Sequence, residues 1–151
     1  MSLTRLAILS LGFAALAGCQ PNPSQGLNPA QGLMNRAEPL PNVVTSGQPD
    51  ADSINELAGA GYVAVIDLRG IDEDRGFDER AVVESAGMSY ISLPVSGAAD
   101  VTYENAALLD DILGNVRGPV LLHCASSNRV GALLSLRARM QGASQEDALA
   151  L

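Results

Sequence analysis

Residues 120–134 read VLLHCASSNRVGALL, and the fold follows from how this stretch is parsed. Val120-Leu121-Leu122 is an apolar run of the kind that forms a strand buried on both faces of a sheet. His123 and Cys124 end the run. Ala125-Ser126-Ser127-Asn128 is a short polar loop, and a helical apolar pattern starts at Val130, directly after Arg129. Strand, tight loop and helix make one β–α unit. In open α/β sheets ligands gather at the carboxyl ends of the strands, which is where His123 and Cys124 lie.

The flanking sequence repeats the alternation. Residues 43–45 (VVT) suit a short strand, and Ser46-Gly47-Gln48-Pro49 a turn. Asp50 or Asp52 can cap a helix running to about Ala60, closed by Gly59 and Gly61. Residues 62–68 (YVAVIDL) are almost continuously apolar and β-branched, the look of a buried parallel strand. Residues 69–79 are charged and irregular. A helix over 78–86 ends at Gly87, and 88–95 (MSYISLPV) alternates like a strand until Pro94. Thr102 can cap a helix over 103–116, with Ala106, Leu109, Ile112, Leu113 and Val116 on one face. The helix after Arg129 spans 130–141 with Gly142 past its end, and Ser144 opens another. The order β-α-β-α-β-α-β-α predicts an α/β layered fold with a mostly parallel sheet. The chain stops inside the last helical pattern. That leaves two readings open, a helix that ends the protein or a truncated copy.

Composition narrows the class. The chain has 151 residues, 47% hydrophobic, with a formal charge of −8. All nine cations are Arg, and there is no Lys or Trp. This is globular rather than disordered. Acidity without a basic cluster argues against nucleic acid as a partner. Two cysteines are too few for a disulfide scaffold. No apolar run reaches the roughly 18 residues that a spanning helix needs.

Residues 1–18 (MSLTRLAILSLGFAALAG) place one cation, Arg5, before an apolar stretch and small residues. That is the layout of a secretory signal peptide. The junction Leu16-Ala17-Gly18-Cys19 resembles the bacterial lipoprotein signal, which implies lipidation of Cys19 as the new N-terminus. Gln20 after it implies the periplasmic face of the outer membrane, within the cell envelope. Residues 19–41, rich in Pro, Asn, Gln and Gly, read as a flexible tether. Residues 42–151 then form the folded domain. Cys124 would be alone in an oxidising compartment, where a lone thiol is either buried and inert or kept for its reactivity.

The 123–129 loop can build an anion site. Backbone N–H groups of Ala125, Ser126, Ser127, Asn128 and Arg129 can converge on one point. The helix N-terminus adds partial positive charge, and the Arg129 guanidinium offers a bidentate fork. The same field favours a Cys124 thiolate. A nucleophile beside a tetrahedral oxyanion cradle is the equipment for phosphoryl transfer. This reading requires a sulfur cupped by amides and reachable from solvent.

His123-Cys124-x4-Arg129 resembles the active-site loop of the cysteine-dependent phosphatases. Ser46-Gly47-Gln48, Val65-Ile66-Asp67-Leu68-Arg69, Ile91-Ser92-Leu93-Pro94-Val95 and residues 123–131 together resemble the small bacterial beta-lactamase-hydrolase-like phosphatase domains, distant relatives of the dual-specificity phosphatases. The resemblance implies a three-layer α/β/α domain with no metal and no organic cofactor. It makes Cys124 the nucleophile and Arg129 the ligand of the phosphoryl oxygens. His123 would tune the thiolate through local hydrogen bonds. Asp100, the only carboxylate in the loop after Pro94, becomes the general acid. The implied activity is hydrolysis of a phosphomonoester, on a phosphoprotein or a small phosphoester, through a phosphocysteine.

Three departures stand out. Four residues separate Cys124 from Arg129 where five are usual, and four is also the rhodanese count, so sulfur transfer is the rival chemistry. Ser127 stands where related short loops carry Gly, at a cost on the order of 1 kcal/mol if φ is positive there. Val130 replaces a Ser or Thr that assists hydrolysis of the intermediate. The last two leave room for a non-catalytic anion- or phosphoprotein-binding lipoprotein. Asp67 and Arg69 read as a structural ion pair or as cleft lining, Asp72-Glu73-Asp74 as a solvated loop, and Asp110 and Asp111 as the wet face of their helix.

Overall fold

A computed structural model describes residues 42–150. The signal peptide expected over 1–18, Cys19, the tether expected over 19–41 and the final Leu151 lie outside the described residues. Four strands, β1 (Val43–Ser46), β2 (Ala64–Asp67), β3 (Ser89–Ser92) and β4 (Val120–His123), form one sheet. Its order is β1-β4-β2-β3 and every pairing is parallel. Five helices follow the expected places: α1 (Ala51–Gly59), α2 (Glu79–Ser85), α3 (Tyr103–Asn115), α4 (Asn128–Met140) and α5 (Gln145–Leu149). A 3-10 turn over Ala98–Asp100 precedes α3. Among the described residues, no helix is long and apolar enough to cross a membrane.

Local chemistry explains the helix starts. The side chains of Asp50, Asp78, Thr102 and Ser144 each accept the amide three residues on, at Ser53, Ala81, Asn105 and Asp147. Those bonds satisfy amides that have no partner inside the helix. Asp110 keeps its side chain partly in solvent, 42% exposed, and also bridges to the next helix. It accepts from Arg137 Nε (2.7 Å) and from Gln141 Nε2 (3.0 Å), tying α3 to α4.

Strand alternation sorts the sheet's side chains into two cores. Ala64, Ile66, Val120 and Leu122 pack with Ala106 and Leu109 of α3 and with Val130, Leu133 and Leu134 of α4. Val65 and Leu121 pack on the other face with Ile54, Leu57 and Val83 of α1 and α2. The domain is thus a three-layer α/β/α sandwich. Strand β4 is central, so its register places His123 between Ser46 of β1 and Asp67 of β2, with Ser92 of β3 beyond. This row across the carboxyl edge is the floor of the site.

Candidate functional site

The loop after β4 is held by the turn after β1. Cys124 N donates to Ser46 O (3.4 Å), and Gln48 N donates to Ala125 O (3.2 Å). Gly47 pairs with Ser126. A Cβ at position 47 would stand 2.9 Å from Ala125 O, so this approach is open to glycine alone. Ser127 takes left-handed backbone, φ 67°, as the cap residue of α4, and places no side-chain hydrogen bond on the first turn. That turn's amides keep their donor capacity for an outside anion.

Cys124 lies at the base of this loop with 0% exposure, in the core cluster with Leu122, Val130 and Leu133. The expectation of a solvent-reachable sulfur is therefore not met in this state. The cause is the loop's closeness to β1 and the packing of α4 against the sheet. Ala125, Ser126 and Asn128 are exposed and Ser127 is half-buried. Val130, at the position expected to lack a helpful hydroxyl, is a core residue.

Arg129 has a partner that composition disguised. Glu73 lies in the acidic run expected to be solvated, yet its two oxygens take Arg129 Nη1 and Nη2, the latter at 2.9 Å. Arg129 Nη1 also donates to Val95 O at 2.8 Å. A guanidinium has five N–H donors. Nη1 uses both of its hydrogens and Nη2 one of two, so Nε and the second Nη2 hydrogen remain as a bidentate edge. The Arg129 pKa is raised, first by the Glu73 hydrogen bond and against desolvation. The Glu73 charge adds to the rise, then a Coulombic and a hydrogen-bonding contribution from Cys124. Glu73 is held down at a pKa of about 2, first by Arg129, against burial, and then by Gly70 N and Arg69.

Arg69 and Asp67 do not form the expected ion pair with each other. Arg69 Nε meets Glu73 Oε2 at 3.1 Å, while its other nitrogens reach Gln48 Oε1 and Asp74 O. Asp67 is fully buried and accepts from Arg69 N (2.7 Å), Tyr90 Oη (2.6 Å) and Arg75 Nη2 (2.6 Å). Burial and the Asp67 carboxylate push the Tyr90 pKa up.

His123 points into this buried network. Its Nε2 lies 2.7 Å from Glu79 Oε1 and 3.7 Å from Asp67 Oδ1, and its Nδ1 lies 3.4 Å from Cys124 O. Nδ1 is the ring atom that meets the loop, at the Cys124 carbonyl, while Nε2 and Glu79 Oε1 lie close without hydrogen-bond geometry. Asp67, Glu79 and His123 bring three potential metal-ligand atoms within 4.8 Å of one another. Arg75 already supplies a cation there, 2.6 Å from Asp67 and 3.8 Å from Glu79.

Asp100 sits in the 3-10 turn, half-buried, and its Oδ2 accepts Ser96 N at 2.8 Å. Its backbone carbonyl accepts Asn105 Nδ2. Oδ2 thus staples its own loop, and Oδ1 is the oxygen left to carry a proton. Beside it an open cleft of about 330 Å³ is lined by Gly70, Asp72, Glu73, Ser96 and Arg129. The structure therefore gathers Cys124, Arg129 and the 125–128 loop, sets His123 behind them and Asp100 on the adjoining loop. The sequence named Gln48 within a motif and Glu73 within an acidic run without pointing to these contacts, and it did not single out Glu79. The only local signal for Glu79 was a carboxylate in an otherwise ordinary first helical turn.

The sequence from 39 to 140 matches the family model described as beta-lactamase hydrolase-like protein, phosphatase-like domain. A beta-lactamase hydrolase-like protein of Xylella fastidiosa is 32% identical over 106 residues, 68% of this chain. The chain spans about a quarter of that relative's length, 24%. A candidate phosphatase from Neisseria meningitidis has a similar structure, with TM-score 0.63 at 19% identity, covering 76% of this chain and 87% of that one. TpbA of P. aeruginosa, a cysteine-to-serine variant in complex with phosphotyrosine, superposes with TM-score 0.54 at 24% identity, covering 78% and 75%. At these identities the two structures speak for the fold alone.

Proposed function

The chain belongs to the beta-lactamase hydrolase-like, phosphatase-like domain family, and on that premise we propose that it hydrolyses phosphomonoesters through a Cys124 phosphocysteine. The observation that carries the reading is the Nε–Nη2 edge of Arg129 at the head of α4, five residues after Cys124, which Glu73 and Val95 O leave open while they take both Nη1 hydrogens and one of Nη2. In the first step Cys124 Sγ attacks phosphorus, the S–P bond forms and the ester P–O bond breaks. The leaving oxygen takes its proton from Asp100, whose Oδ1 is not engaged by Ser96. In the second step water attacks phosphorus, the S–P bond breaks and inorganic phosphate leaves, its proton passing to Asp100. Arg129 and the first-turn amides of α4 hold the equatorial oxygens throughout. Because the sulfur is covered, each turnover includes a shift of the 125–128 loop. Phosphotyrosine, the ligand in the TpbA complex, is the first substrate to try.

The purified chain is expected to release phosphate from an aryl phosphate and to be inhibited by vanadate. Cys124→Ser is expected to abolish turnover, and unchanged release would end the reading. Asp100→Asn is expected to slow alkyl phosphates about 10²-fold and good aryl leaving groups far less. The four-residue loop favours one second reading. Sulfur transfer from thiosulfate to cyanide without phosphate release would select it. Tight oxyanion binding without turnover would select the non-catalytic binder, which the buried sulfur and Val130 favour.

We also propose that Cys19 carries lipid and places the domain in the cell envelope, with a flexible tether over 19–41. Radiolabelled palmitate should label the parent chain in a bacterial host and not Cys19→Ser, which should leave the membrane fraction.

A further inference from the structure

We infer that Gln48 is a positioning residue that joins the two halves of the site into one network, and this rests on the phosphatase reading. Gln48 lies in the turn after β1. Its Nε2 donates to Glu79 Oε2 (2.9 Å) and to Pro49 O (3.2 Å), and its Oε1 accepts Arg69 Nη1. Its backbone N–H donates to Ala125 O, at the start of the Cys124–Arg129 loop. A carboxylate can only accept and a guanidinium can only donate, so these partners fix the amide's orientation.

The chain of contacts runs His123–Glu79–Gln48–Arg69–Glu73–Arg129. One end touches the carbonyl of Cys124 and the other carries the oxyanion fork. From Glu79 to Arg129 every link is a hydrogen bond, and hydrogen-bonded chains in a low-dielectric interior reinforce one another, while His123 joins them by its 2.7 Å approach to Glu79 Oε1. Gln48 is the one carboxamide among these links, and it supplies one acceptor and one donor on the same planar group. Methionine would leave Glu79 Oε2 and Arg69 Nη1 without these partners. Glutamate would keep the Arg69 contact and set a second carboxylate against Glu79.

The test uses inorganic phosphate binding by calorimetry and aryl phosphate turnover, on the parent, Gln48→Met, Glu73→Gln and the double variant. The expected result for Gln48→Met is a Tm within a few degrees of the parent, a loss of about tenfold in phosphate affinity and a similar loss in kcat. The double variant should lose less than the product of the two singles, since both cut one chain. Affinity and kcat within twofold of the parent, or fully multiplicative losses, would overturn the inference. If Gln48→Met does not fold, Gln48→Glu decides. The groups around the new carboxylate are Arg69 and Glu79, with His123, Arg75 and Asp67 behind Glu79. Relative to the parent profile, activity should recover as pH falls and one proton bridges the two carboxylates. A pH-independent ratio would overturn it. An active parent with an indifferent Gln48 variant removes this inference alone. A parent that neither binds nor turns over phosphate removes the phosphatase reading and the inference together.

Discussion

Ser127 holds φ 67° without a cap bond in return, so its side chain brings backbone strain and no local compensation. Glycine adopts that region freely but has a larger unfolded-state entropy. The strain term is the larger, and Ser127→Gly is expected to stabilise the domain by about 0.5–1 kcal/mol. A thermal melt should show a rise of a few degrees. Glu73 gives a second prediction. Its folded pKa of about 2 lies below its ordinary 4.5. A depressed carboxylate contributes stability that is present above the unfolded value and lost as pH falls through the folded one. The stability of the parent should drop between about pH 4.5 and 2, and Glu73→Gln should flatten that part of the curve in urea titrations. The same variant leaves Arg129 less firmly aimed, and kcat should fall about 10- to 100-fold. Retained kcat would mean that Val95 O alone orients the fork.

At the scale of elements, the contact between the β1 turn and the β4 loop sets the cradle. Gly47→Ala would drive a Cβ to 2.9 Å from a backbone oxygen that has nowhere to yield. The loop must then retreat from β1, at a cost of about 1–3 kcal/mol. Phosphate affinity should fall with Tm, and a fall in Tm alone would mean the loop's amides are set by α4. The helices and strands themselves were legible in the sequence. Periodicity and cap residues are local, and Asp50, Thr102 and Ser144 act on amides three residues away. The His-Cys-x4-Arg loop was legible for the same reason. What escaped was pairing across the fold. Glu73 looks like its neighbours Asp72 and Asp74 until β2 and β4 are placed side by side and its carboxylate meets Arg129, 56 residues away. Glu79 looks like any first-turn acid until the sheet order β1-β4-β2-β3 brings His123 against it. The burial of Cys124 is also a packing outcome, since nothing in a polar loop sequence says how closely α4 approaches the strand.

For the whole molecule, charge is the property that reaches farthest. The chain carries −8 formally, while Arg129, the cation that lines the cleft, and Arg69 and Arg75 behind it are each paired with carboxylates. Asp72 on the cleft wall is exposed. A dianionic phosphomonoester therefore approaches against a negative field and meets attraction at the Nε–Nη2 edge of Arg129 and the first-turn amides of α4. A substrate with several phosphates feels the same field in proportion to its charge. Added salt screens that repulsion, with a Debye length of about 10 Å at 0.1 M and about 3 Å at 1 M. Raising ionic strength should thus increase kcat/KM for a polyphosphorylated ester more than for a simple aryl phosphate, in the sense opposite to a basic active-site funnel. Asp72→Asn should narrow the gap between the two substrates at low salt and change little at high salt. Steady-state kinetics over a salt series measures both. A polyanionic substrate that is favoured at low salt would mean that the loop amides and the α4 N-terminus outweigh the carboxylates of the rim.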